Sequence, residues 1–401
     1  MLVVFCPFAA GYFLSFFFRN VTAVISKDLA REFSLSPADL GLLTSTYLLA
    51  FAAFQLPLGV LLDRFGPRRV LACLYSIAGA GALVFGLAQD FVALSVGRAL
   101  IGLGVSGGLM GAIKAFTLWF PLSRLATLNG LYLAVGGLGG LSATAPVEAL
   151  LGPLGWRALF FGVAALSVIA AAIIFLVIPE KPLPGSGDSL GAQIRRFGEV
   201  FSSLSFWRIA LPLVICHATY QAMQGLWLAP WLYDVGGFER GAVANYLLAS
   251  AVAYAVGSVF FGVTSDRLAQ LGVSRMTVYK AGQSVSLAMF LLLALGVTEN
   301  LVIILGLYGF TAISAALAYA LLTPLFPPEM TGRVNTASNV LMFSFSFLFQ
   351  WGIGAALRGF PVVDGRFAPQ GYGVAFLALA AAQALVIAWL LPMRDPFRRA
   401  A

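Results

Sequence analysis

Runs of about twenty apolar residues recur along the whole of this chain, and they leave it few folds to choose from. A helix needs about 20 such residues to cross a hydrocarbon core about 30 Å thick. Inside lipid a backbone has to satisfy its own polar groups, so an apolar run of that length is a helix. The alternating pattern of a membrane barrel is absent. Composition agrees: 60% of the 401 residues are hydrophobic and 10% are charged, where a soluble domain carries about 25% charged residues. Twelve spans can be drawn, at about 3–26, 38–62, 70–88, 91–119, 126–150, 157–178, 209–233, 242–264, 276–296, 301–325, 335–357 and 371–391. The expected fold is an all-α membrane protein with twelve transmembrane helices.

Most connections between spans are short. The exception is 179–208, where Pro179, Pro182, Pro184, Gly185 and Gly187 gather with several charges in the manner of a linker. The expected division is a six-helix bundle over 1–178, a linker over 179–208 and a second six-helix bundle over 209–401. The later part of the linker, residues 190–204, has the pattern of a short amphipathic helix lying on the membrane surface. The N-terminal run lacks a basic lead and a small-residue cleavage site, so it reads as span 1 and not as a signal peptide.

Lys and Arg orient the chain. With both termini in the cytoplasm, fifteen of them fall on that face and six on the other, which is the positive-inside pattern. The same bias accounts for the net charge of +8 without nucleic acid as a partner. No soluble segment interleaves basic and aromatic residues. The expected setting is a bacterial inner membrane. Cys6, Cys73 and Cys216 lie far apart inside apolar runs, with neither metal spacing nor a disulfide framework. One histidine, no nucleophile elbow and no phosphate-binding loop argue against an enzyme, a cofactor or an ATP-driven pump.

The two halves repeat. Gly59-Val60-Leu61-Leu62-Asp63-Arg64-Phe65-Gly66-Pro67-Arg68-Arg69 separates spans 2 and 3, and a shorter echo, Gly262 to Asp266-Arg267, follows 203 residues later. Phe120-Pro121 and Asn129 have counterparts in Phe326-Pro327 and Asn335, offset by 206. The G-x-x-x-D-R-x-G-x-R-R form resembles the loop between the second and third helices of the major facilitator superfamily, and six plus six helices match that superfamily's architecture. The resemblance covers nearly the whole chain. It implies two six-helix bundles around a central cavity that opens alternately to each side, and a cytoplasmic latch built from Gly59, Asp63, Arg64, Gly66, Arg68 and Arg69. Arg124, at the cytoplasmic end of span 4, is the expected partner of Asp63. The copy at Asp266 and Arg267 lacks the glycine and the arginine pair, so the second latch is expected to be the weaker.

Three further motifs fit the resemblance in part. Arg98 to Gly104, with Gly102 between, resembles the R-x-x-x-G-x-G motif of helix 4; Arg98 either snorkels, makes a structural hydrogen bond or takes part in coupling. Gly155-Trp156-Arg157 opens span 6 and suits an anchor at the membrane interface. Gly136, Gly137, Gly139 and Gly140 resemble a drug-antiporter motif loosely, but Pro146 comes late and the order is wrong. Close helix packing explains these glycines.

Substrate is a question for the charges inside the membrane. A charge at bilayer depth costs about 2.5–3.5 kcal/mol on insertion scales, so it faces protein or a wet cavity. Arg19 in span 1 and Lys114 in span 4 are such cations, while Asp28, Asp39, Glu148 and Asp234 fall near outer span ends. Two deep cations without a deep counter-ion suggest an anionic substrate. Arg19-Asn20 also resembles helix 1 of organophosphate:phosphate antiporters, but span 7 lacks their second arginine, which favours a carboxylate over a phosphate ester. Span 7 offers His217, Gln221 and Gln224 instead, spaced to share one helical face. Asn339 and Gln350 of span 11 are spaced to share another, and Tyr308 and Tyr319 of span 10 are further candidates. Lys280, in span 9, is expected to snorkel to the cytoplasmic surface. The expected function is transport of a small, carboxylate-type organic anion by alternating access. Arg19 and Lys114 would hold the charge, and His217, Gln221, Gln224 and Asn339 the polar remainder. A proton or counter-anion is the expected coupling partner, membrane lipid the surroundings, and a monomer the working form. Export of drugs or apolar metabolites, and ligand sensing without transport, remain the competing readings.

Overall fold

The computed structural model describes residues 2–180, 198–327, 330–363 and 366–393. The chain forms two compact units, Met1–Ile194 and Arg195–Ala401. Helices occupy all twelve expected positions. Among the described residues, ten are long and apolar enough to cross a membrane. The other two are spans 5 and 7, which carry Arg124 and Asn129 in one and His217, Gln221 and Gln224 in the other. Side chains such as Leu166, Ile169, Ile173 and Leu176 of span 6 are exposed, as a lipid-facing surface requires.

In the first unit, span 1 is the helix Leu2–Glu32. Spans 2 and 3 form one hydrogen-bonded run, Pro37–Leu87, opened by a capping box between Ser36 and Asp39. At Gly66 the backbone takes φ 77° and ψ 162°, a conformation open to glycine at little cost. The chain reverses there, in the middle of the repeated loop. Span 4 comes in two pieces, Phe91–Val105 and Gly108–Trp119. The carbonyls around the break are satisfied from neighbouring helices: Gln55 Nε2 donates to the Ser106 oxygen at 3.1 Å and the Tyr132 hydroxyl to the Gly108 oxygen at 2.6 Å.

Span 5 is shorter than the apolar run suggests. Its helix is Leu122–Ser142, and a new helix, Ala145–Val177, starts after two intervening residues. Pro146 explains the difference: it sits in the first turn of the new helix, where its missing N–H costs nothing. A second reversal at Gly155, φ 73°, divides that helix, so span 6 proper starts at Trp156.

In the second unit, span 7 begins at Leu204, ahead of the expected 209, because Ser203 caps it by accepting from the Phe206 amide at 3.2 Å. It runs as an α-helix to Ala222, as a π-helix over Met223–Trp227, and as an α-helix again over Leu228–Asp234. Helices Arg240–Gln270 and Arg275–Ala294 follow. Span 10 is interrupted by a 3-10 turn, Ile313–Ala316, between Leu301–Ala312 and Leu317–Leu322. Gln283 of span 9 holds this break, donating to the Ser314 hydroxyl at 2.8 Å. Span 11 is Thr331–Leu357; a small antiparallel hairpin, Val362–Val363 with Arg366–Phe367, leads to span 12, Pro369–Leu390.

The internal repeat extends to backbone conformation. Phe120 (φ −123°, ψ 149°) ends span 4 as Phe326 (φ −127°, ψ 157°) ends span 10. Gly66 has its counterpart in Gly272, φ 84°, 206 residues on. The Asp-Arg pair does not keep that offset: Asp63 stands three residues before its turn glycine and Asp266 six before, inside the helix that continues to Gln270. The side chain of Asp266, and with it the expected weaker latch, lies outside the described residues. So does most of the expected amphipathic linker segment.

Candidate functional site

In the first unit, Arg19 is half-buried. Its guanidinium lies 4.7 Å from the centroid of the Phe16 ring and 5.4 Å from that of Phe51, both within cation–π range. Phe16, three residues earlier on span 1, lies 5.0 Å from Tyr12, which stacks on Tyr132 at 4.3 Å. The Asn20 amide donates to the Phe16 oxygen at 2.9 Å. Span 5 passes beneath with its glycines. A Cβ at Gly136 would stand 2.5 Å from the Tyr12 ring, and one at Gly139 2.1 Å from the Phe13 oxygen. The glycine run is therefore a packing surface for span 1.

Arg98 is 1% exposed and does not snorkel. It donates to the Phe18 oxygen at 3.0 Å and lies over the Tyr47 ring at 5.0 Å. A Cβ at Gly102 would meet the Tyr47 oxygen at 2.1 Å, and one at Gly104 the Ala78 nitrogen at 2.3 Å. The motif thus packs span 4 tightly against spans 2 and 3 and ties it to span 1.

Lys114 departs from expectation. Its ammonium is ion-paired with the Asp63 carboxylate, so it has a counter-ion and joins the loop between spans 2 and 3. The deep pair of free cations anticipated from the sequence is not formed. Asp63 in turn is held by Lys114, in the role expected of Arg124, whose side chain is exposed at the start of span 5. The reason is reach: a lysine one turn and more before the end of span 4 extends its four-carbon stem toward the polar surface. Arg68 and Arg69 turn to span 6. Arg68 Nε donates to the Phe175 oxygen at 2.8 Å, capping the end of that helix, and Arg69 bonds Glu180 at 2.6 Å. Arg64 is exposed and lies 5.3 Å from the Phe65 ring. A double-mutant cycle on Asp63→Asn and Lys114→Met should give a favourable coupling of about 0.2–1 kcal/mol in thermal melts, because both groups are partly solvated. Additive effects would mean that the pair is not formed in the membrane.

At the opposite end of this unit, Trp156 is buried and donates to Glu32 at 2.8 Å. Arg157 pairs with Glu32 and donates to the Ala88 oxygen at 2.8 Å. These residues clamp the ends of spans 1, 3 and 6 together.

In the second unit, His217 is half-buried, 6.2 Å from Tyr254, which stacks on Tyr220 at 4.8 Å. Gln221 is buried. Gln224 lies in the π-helical turn and, like His217, meets span 8, donating to the Leu247 oxygen at 3.1 Å. Trp227, at the end of the same turn, donates to the Gln350 oxygen at 2.7 Å. Gln350 is buried while Asn339 is half-buried and accepts from the Tyr319 hydroxyl at 2.6 Å. Tyr308 is buried between Tyr220 and Phe290. Lys280 donates to the Leu391 oxygen at 2.8 Å, an end-of-helix bond. Among the described residues no cluster of ligating side chains could hold a metal.

The missed features are Phe16 and Phe51 around Arg19 and the Asp63–Lys114 pair. Phe16 was within reach of the sequence, because positions 16 and 19 share a helical face; Phe51 and the ion pair depend on which helices touch.

A model of the Major Facilitator Superfamily matches residues 8–350. The chain is 26% identical over 377 residues to the probable sulfoacetate transporter SauU of Cupriavidus necator, spanning 90% of this chain and 80% of that one. In structure it is similar to a bacterial homolog of the human lysosomal transporter Spinster, with TM-score 0.72 at 19% identity, covering 97% of this chain and 94% of the other. It is also similar to the nucleoside transporter NupG, with TM-score 0.76 at 13% identity, covering 98% and 99%.

Proposed function

Since this chain belongs to the major facilitator superfamily, and so is a multi-pass membrane transporter and not an enzyme, we propose that its cargo is a small organic anion, moved by alternating access. The observation that carries this reading is Arg19, a half-buried cation in the middle of a membrane-spanning helix. Maintaining a charge at that depth is costly, and an anionic cargo that meets it in each cycle supplies the reason for it. The SauU relative, a probable sulfoacetate transporter, supports the same class. Arg19 holds the anionic group. Within the second unit, His217, Gln221, Gln224 and Asn339 are the polar candidates for contact with cargo, while Lys114 is engaged by Asp63. Both termini are cytoplasmic, in a bacterial inner membrane, by the positive-inside bias.

Uptake into liposomes tests this. Purified protein should accumulate at least one labelled carboxylate or sulfonate and ignore its uncharged amide. Imposed proton gradients and preloaded counter-anions then separate symport from exchange. Equal uptake of acid and amide would remove the anion reading.

A further inference from the structure

We propose that the second unit holds a buried water site between spans 9 and 12, built by Gln283 and Gln383. Both glutamines are fully buried. Neither polar atom of the Gln383 amide has a hydrogen-bond partner among the described residues, and the Gln283 oxygen has none either. An amide left unmet inside a bundle of membrane helices is costly. Buried polar groups in native proteins find their partners in protein or in ordered water.

Two aromatic contacts fix how these side chains stand. Phe290 of span 9 lies 5.6 Å from Phe376 of span 12, centroid to centroid, and stacks at 5.8 Å on Tyr308 of span 10. Spans 9 and 12 run antiparallel, since the Lys280–Leu391 bond lies beyond the ring contact, toward the start of one helix and the end of the other. Gln283 stands seven residues before Phe290, and Gln383 seven after Phe376. Seven residues are about 10.5 Å of rise and within about 20° of two full turns. Each glutamine therefore shares a face with its phenylalanine, and both are displaced equally in the same direction. The aromatic layer of Tyr308, Phe290 and Phe376 is followed by a polar layer of Ser314, Gln283 and Gln383, in which Gln283 Nε2 donates to the Ser314 hydroxyl at 2.8 Å. The two amides face each other without bonding directly. What joins them has to accept from the Gln383 nitrogen and donate to an amide oxygen. A cation meets the oxygens alone and an anion the nitrogen alone; water does both. A water that accepts from Gln383 Nε2 and donates to Gln283 Oε1 extends the network from span 12 to the 3-10 turn of span 10.

The test is X-ray radiolytic labelling of the full-length protein in detergent, read by mass spectrometry. Hydroxyl radicals formed from a bound water modify the side chains beside it, even where bulk water does not reach. Tyr279 and Ile387 are buried, one turn from Gln283 and Gln383 on the same faces. At least one of them should be labelled in the wild-type protein, and that labelling should be lost in Gln383→Leu. The same variant should melt at a lower temperature, because the Gln283 oxygen is then left without a partner. Were the layer dry, leucine in place of an unmet amide would raise the melting temperature. An unlabelled Tyr279 and Ile387 in the wild-type protein, or a Gln383→Leu variant that melts at or above the wild-type temperature, would overturn the inference. Labelling of the wild type decides the matter even if the variant fails to fold.

Discussion

Arg19→Gln is expected to cut uptake of the transported anion by about a hundredfold while the protein inserts and melts as before. Glutamine keeps most of the length and some of the hydrogen bonding, and it loses the charge. Hydrogen bonds to a charged partner contribute about 1.5–3 kcal/mol, and 1.4 kcal/mol is a factor of ten. Stability should not suffer, because removing a charge from a partly desolvated site also removes the cost of keeping it there. Arg19→Lys should fall between the two. A lysine keeps the charge but has neither the planar fork nor the flat face that fits between Phe16 and Phe51. Uptake at the wild-type level in Arg19→Gln would take this residue out of the site.

The second large effect is on the fold, and it is a contrast between two neighbours in one glycine run. Gly139→Ala should destabilise the protein by about 2–3 kcal/mol, the upper part of the usual range for overpacking. Its new methyl would stand 2.1 Å from the Phe13 oxygen, a backbone atom that cannot swing aside, so spans 1 and 5 must separate. Gly137→Ala has nothing within 4 Å of the new methyl and exchanges glycine for a better helix former. It should be neutral or slightly stabilising. Melting curves of the two purified variants check this, and a similar loss in both would mean that the run matters for flexibility and not for close approach.

Much of the fold was legible because membrane helices announce themselves through length and hydropathy, and because the second half repeats the first. Gly66 could be read as a turn from the charged loop around it. The end of span 5 could not be read from hydropathy, since the apolar run continues past Ser142; the informative signal was Pro146, which cannot continue a helix but can start one. In the candidate site, Arg19 stood out by its charge. Lys114 stood out equally and was misread, because pairing across helices depends on side-chain reach and relative depth, neither of which a single run of sequence displays. Gln224 could be placed on a helical face but not given its partner, because the Leu247 carbonyl comes from a neighbouring helix that a single run of sequence does not display.

The displaced Asp-Arg pair of the second half carries a consequence for engineering. Three extra residues between Asp266 and its turn glycine amount to 4.5 Å of rise and about 300° of rotation along an ideal helix. In helical phase, the copy is set back by about one-sixth of a turn and nearly one turn deeper than the original. A chimaera that grafts the loop around Asp63 onto the second half, aligned on its turn glycine, would thus place its aspartate three residues nearer the turn than the native chain does. Inserting three residues restores the native interval, and loop exchanges designed on the Asp-Arg alignment or on the glycine alignment will give different proteins.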